Sequence, residues 1–327
     1  MVGRRLIDII SKNKTTAITT IFGLIAGPII GYYIIDYITI TPSDLVQSLE
    51  NGDVGKFNDE RKQIKEQIVL DRIDLSGKDL QGANLNSLVI QHSNLSKTNL
   101  QNSKLEDAQI SGDLSYIDLS NANLLNADLT HADLGGANLS HARLVQADLA
   151  NANLVGATLT NADLTTADLT NAYLPFADLR KTILAFADLT HSNLFHVDLT
   201  DSKLWGADLT NANLPDAFLA NASLYIAHLT NANLNRADLT HASLFRADLT
   251  HADLRDANLT HASLNFADLT NTVVLNTDLT NANLNLANVN EAIFDCNSLR
   301  TNSSAIDLSQ SHVVDSYNNE VTSCKSE

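Results

Sequence analysis

Carboxylates recur in this chain at a fixed interval. Asp128, Asp148, Asp168, Asp188 and Asp208 stand 20 residues apart, and Asp248 and Asp268 continue the series beyond His228. Two carboxylates do acid–base work when unlike environments push their pKa values apart. Here every interval offers the same pair and no unique cleft emerges, so the pattern argues against an enzyme. His241 and His261 share the interval, but Asn stands in the same slot at Asn221 and Asn281. That slot reads as a surface turn rather than a metal site. Cys296 and Cys324 lack CxxC spacing and a His pattern, which argues against zinc. They are either a disulfide, if that end lies outside the cytoplasm, or two plain thiols. Glycine-rich phosphate loops, nucleophile elbows and HExxH are absent, so no cofactor is expected. The formal net charge is -17. Such a body repels nucleic acid and favours basic partners, or is simply soluble.

The elements that must position these residues show in a shorter period. A large aliphatic residue recurs every five positions from Leu75 through Leu80, Leu85, Ile90, Leu95, Leu100 and Leu105 to Ile110. The next step, Ile110 to Leu114, is one residue short. The five-step then runs to Leu299, with Val274, Val289 and Phe294 as its non-Leu members. Ala usually stands two positions before the Leu, with Asp or Asn between. An α-helix would scatter a five-residue period over every face, since each step rotates by about 140°. A continuous strand would send alternate Leu residues to opposite sides. A chain that turns once per five residues brings every Leu to one interior, and Asp and Asn suit such turns.

ADLTNANL, ADLTHADL and AHLTNANL resemble the pattern A-[D/N]-L-x-x of the pentapeptide-repeat family. The lead-in NGDVGKFNDERK is similar to that of many members. The resemblance implies an all-β solenoid, a right-handed quadrilateral β-helix with four pentapeptides per coil, Leu in the central layer and Ala in a tighter one. About 46 units then make 11–12 coils, a stack roughly 55 Å long at β spacing. The missing residue before Leu114 should leave a kink or bulge.

With four units per coil, residues 20 apart stack. One variable corner then carries Trp205, Tyr225 and Phe245, and the opposite corner Val155, Pro175, Phe195 and Pro215. Exposed apolar stripes mark contact surfaces, although neighbouring rings also stack on each other. Arg236, Arg246 and Arg255 are expected to border the stripe.

Five segments follow. Residues 1–16 carry Arg4, Arg5, Lys12 and Lys14. Residues 17–40 begin with about 19 uncharged positions, long enough for one transmembrane helix. Tyr32, Tyr33 and Tyr37 would lie at its far interface. Gly23, Gly27 and Gly31 form a stripe suited to helix pairing, hence a homodimer through this helix. The positive-inside rule places the N-terminus in the cytoplasm and the repeats on the outer side. Residues 41–70 read as linker and helical cap, 71–300 as the repeat body, and 301–327 as a flexible tail.

The function expected is that of a membrane-anchored scaffold for an unnamed protein partner, with no direct nucleic-acid contact. Two alternatives stand beside it. Some family members resemble duplex DNA and bind topoisomerase, and an acidic DNA mimic fits the Asp series. A purely structural spacer fits the rest.

Overall fold

The computed structural model describes residues 43–62, 64, 67–300 and 309–314. The segment read as a membrane helix, with Gly23, Gly27 and Gly31, lies outside them, as does the basic segment before it. Among the described residues no helix is long and apolar enough to cross a membrane.

Each five-residue unit is a short extended piece and a β-turn. The Ala122 N–H donates to the Leu119 carbonyl at 3.0 Å, and Asn121, the third turn residue, sits at φ +58°. This left-handed conformation recurs at almost every corner, mostly on Asn, His, Asp or Gly, the residues that adopt it at least cost. Four such turns close a four-sided coil. The next coil lies parallel above it: Asp148 donates its N–H to the Ala127 carbonyl at 2.9 Å, and Leu129 donates to the Asp148 carbonyl at 2.7 Å. Bridges join positions 20 apart along the stack, such as Asp128 to Asp148 and Asp148 to Asp168. About 12 coils result.

The side chains follow. Leu129 and Leu209 are fully buried, as are the non-Leu members Val274 and Phe294. Each buried Leu contributes on the order of 1.5–3 kcal/mol, opposed by about 1–2 kcal/mol of backbone ordering per residue. Two hydroxyls in the Ala layer are satisfied locally: Thr182 Oγ1 donates to the Leu179 carbonyl and Ser202 Oγ to that of Leu199, both at 2.5 Å.

The N-terminal end is closed by α1 (Ser43–Glu50) and α2 (Val54–Arg61), which bring Leu45, Leu49 and Phe57 over the first coil. Asp53 caps α2 by accepting from the Lys56 N–H. The first parallel sheet runs β1 (Val69–Asp71), β2 (Val89–Asn94) and β3 (Gln109–Asp113). Its register shifts between Ile90 and Ser93, opposite Gly112, so the missing residue appears as an irregularity in the ladder. At the other end β4 (Val273–Val274) and β5 (Ile293–Asp295) precede α3 (Cys296–Arg300), and β6 (His312–Val314) pairs with β5. Thus β6, within the segment read as flexible tail, adds a strand, and its Val314 is buried. Cys296 is disulfide-bonded.

Candidate functional site

The Asp series forms one face. In Asp128, Asp168, Asp188 and Asp208, Oδ1 accepts the backbone N–H two residues on, at 2.8–3.0 Å. Asp148 does the same toward Ala150. The carboxylates therefore serve the turns first, which offsets their mutual repulsion. His228 interrupts the face between Asp208 and Asp248.

This face begins three residues after one corner. Trp205 precedes Asp208, and Phe245 precedes Asp248, by that interval. Trp205 is 40% exposed and Tyr225 42%. Tyr225 and Phe245 stack at 5.6 Å between centroids, with 13° between planes. The corner holds more than its first turn residues. Phe186 meets Trp205 edge-on at 5.9 Å, and Phe266 meets Phe245 at 5.4 Å. The Arg246 guanidinium lies 5.6 Å from the Phe245 ring centre and 5.7 Å from that of Phe266, within cation–π reach. Gly206 makes room for Phe186, because a Cβ there would fall 2.5 Å from that ring. The result is a ridge across five successive coils.

The other expected border residues lie elsewhere. Phe195 belongs to the opposite corner, where Phe176 approaches it at 5.4 Å and His196 reaches Phe218 at 5.1 Å. Arg236 stands at that opposite corner and forms a two-pronged bond to Asp216, at 2.7 and 2.8 Å. This bond holds the Asp216 carboxyl below its ordinary range. Arg255, also there, is engaged by Asp253. Burial acts to raise the Asp253 carboxyl, but the Arg255 bonds outweigh it and the net shift is downward. Of the three arginines only Arg246 borders the Trp205 ridge. The physical reason is the coil: residues 10 apart sit half a turn from each other.

His241 and His261 stack face to face at 4.8 Å. Among the described residues no group of three or more His, Cys, Asp or Glu is arranged to hold a metal ion.

The profile described as Pentapeptide repeats matches in eight copies, over residues 69–112, 113–146, 132–171, 147–184, 162–201, 192–225, 222–260 and 257–295. The chain belongs to the pentapeptide-repeat family.

Among solved structures, the pentapeptide-repeat chain is 34% identical to HetL, a protein involved in heterocyst differentiation regulation from the cyanobacterium Nostoc sp. strain PCC 7120. That match covers 70% of this chain and 90% of HetL, with a TM-score of 0.34. It is 30% identical to alr5209, a pentapeptide-repeat protein from Nostoc PCC 7120, over 31% of this chain and 84% of the other, with a TM-score of 0.29. QnrB1, a plasmid-mediated fluoroquinolone resistance protein, is 16% identical over 73% of this chain and 99% of its own, with a TM-score of 0.25. No curated protein sequence matches.

Within this pentapeptide-repeat fold the variable information sits in the two turn residues of opposite corners. Sequence reasoning followed only the first of the two and so missed Phe186, Phe266, Phe176 and His196. The signal was present one position later, in the same 20-residue register.

Proposed function

We propose that this pentapeptide-repeat protein is a non-enzymatic scaffold, held at a membrane by residues 17–40, that docks a protein partner on the Trp205 corner. One observation carries the reading. Aromatic side chains stay exposed at one corner across successive coils, beside a face of Asp residues. Two further features support the location. Residues 17–35 carry no charge, over about a bilayer's width. The disulfide at Cys296 suits an oxidising compartment, hence repeats on the outer side. A regulatory role, which HetL has, is one that a docking surface serves.

The test substitutes Trp205, Tyr225 and Phe245 together with Ser in the full chain. Circular dichroism checks that the coils persist, and cross-linking in membranes reads partner capture. Loss of the cross-linked species is expected; an unchanged pattern overturns the reading. Protease accessibility of the repeats in intact cells tests the outer location, and protection there overturns it.

The Asp face favours a second reading, an acidic mimic of duplex DNA. A gyrase supercoiling assay decides it, since no inhibition at micromolar protein excludes the mimic.

A further inference from the structure

We infer that the Trp205 ridge is built for a basic amphipathic helix laid along the coil axis, with its cationic residues on one flank only. This inference rests on the docking reading above and names the partner's chemistry.

Three observations carry it. First, the two flanks of the ridge differ in charge. Asp188, Asp208, Asp248 and Asp268 line the side that follows the corner, with His228 between the second and third. Ile183, Lys203, Ser223, Ser243 and Ser263 line the side that precedes it. In Asp188 and Asp208 the turn N–H occupies Oδ1, which leaves Oδ2 for a ligand.

Second, the chain bears backbone strain to keep the ridge apolar. The second turn residue needs a positive φ. At the next corner of the same coils it is Asn or His: His191, Asn211, Asn231, His251 and Asn271. At the ridge it is Phe186, Ile226 and Phe266 in three of the five coils, at φ +56°, +53° and +61°, with Gly206 and Arg246 in the other two. A left-handed conformation is unfavourable for an ordinary residue, and a β-branched one is an outlier there. Packing of the coil does not need these side chains, because the corners point away from the Leu column. Strain retained at an exposed site points to function.

Third, the dimensions agree. Coils repeat at about 4.8 Å and helix turns at about 5.4 Å, so an apolar row at i, i+3, i+4 and i+7 meets one ridge side chain per turn. Helix-in-groove recognition uses that spacing. Charge complementarity then selects the flank.

Trp205 is the only tryptophan of the chain and reports on its own site. Two synthetic helices of about 18 residues share one Leu row and carry either Lys or Glu along the flank. The full-length protein is titrated with each while Trp205 emission is followed. The Lys peptide is expected to shift the emission to the blue and to bind at least about tenfold tighter than the Glu peptide. Replacing Asp188, Asp208 and Asp248 with Asn should remove that preference; Asn288 already occupies this face, so the turns survive. Replacing Asp198, Asp238 and Asp278 with Asn removes the same charge from another face and should leave binding unchanged. Equal binding of both peptides overturns the charge rule while the docking ridge stands. Equal loss in both triple variants, binding without a Trp205 shift, or no binding of the Lys peptide overturns the inference. Failure of the docking reading itself shows separately, as partner capture that survives loss of Trp205, Tyr225 and Phe245.

Discussion

Gly112 lies against Ser93 so closely that a Cβ on it would fall 2.2 Å from the Ser93 carbonyl oxygen and 2.8 Å from its nitrogen. Both contacts are backbone, so neither can swing aside. Gly112 also sits at φ +126°, outside the range of L residues. This is where one residue is missing from the repeat, and the ladder closes over the gap by letting two backbones touch. Gly112→Ala is expected to destabilise the chain by about 3 kcal/mol or more. Gly77→Ala is the comparison: its φ is +65°, but nothing lies within 4 Å of an added Cβ. There only the conformational penalty applies, about 1 kcal/mol. Urea unfolding of the two variants checks the contrast, and equal losses would remove the steric argument.

A second prediction concerns the N-terminal edge. The Asn58 carboxamide accepts the Asn84 N–H at 2.7 Å and donates to the Gly82 carbonyl at 3.1 Å. In the next coil the N–H at the Asn84 position bonds the coil below, where Lys104 donates to the Ala83 carbonyl at 2.9 Å. One side chain thus imitates the peptide of a coil that is not there. Asn58→Ala should cost about 1–3 kcal/mol, because it leaves two edge groups unmet. Asn58→Asp keeps the acceptor and loses the donor, so it should fall between. Hydrogen exchange at the Asn84 amide reads the effect directly: fast in the Ala variant, slow in the Asp variant.

The C-terminal end uses the same device. Asp295 accepts the Asn276 N–H and the Ser298 hydroxyl, and Ser298 in turn accepts the Thr277 N–H. A helical cap was expected over residues 41–70, but the side-chain bonds that close either end were not legible, because no period announces Asn58, Asp295 or Ser298. The Leu column was legible, since only a turn every five residues gives Leu129 and Leu209 a common interior. The Asp face was legible for the same reason, through the 20-residue coil. The ridge was half legible. Trp205, Tyr225 and Phe245 share a register that the eye finds, whereas Phe186 and Phe266 sit one position out of it. Arg236 and Arg255 were drawn to the ridge by nearness in sequence, and half a coil carries each to the opposite corner.

Ile226 yields a third prediction. It holds φ +53° between the coils of Phe186 and Phe266, and its N–H donates to the Phe245 carbonyl at 3.0 Å. Asn keeps that donor and tolerates the conformation far better than a β-branched residue. Ile226→Asn should therefore stabilise the chain, by about 1 kcal/mol, and raise the thermal midpoint by roughly 2–4 °C. The same change removes an apolar contact from the ridge, so peptide binding should weaken while stability rises. A drop in both would mean that Ile226 supports the fold rather than the surface.

The last prediction is a pH dependence. Arg180 grips Asp178 through Nε at 2.8 Å and a terminal nitrogen at 2.6 Å. The Arg180 hydrogen bond is the main reason the Asp178 carboxyl titrates below its ordinary value; burial opposes it and is outweighed. A carboxyl whose folded-state pKa is depressed binds fewer protons than it does in the unfolded chain. Its contribution to stability is therefore full above the ordinary carboxylate value, about pH 4, and fades as pH falls through the folded-state value. Arg180→Gln removes the cation and lets Asp178 return toward the ordinary value. The stability difference between the parent and this variant should be largest near neutral pH and shrink on acidification. Because the pair is solvent-exposed, the difference should also shrink in high salt. Chemical unfolding at a series of pH values measures both trends, and a difference that grows toward acid would reverse the assigned sign.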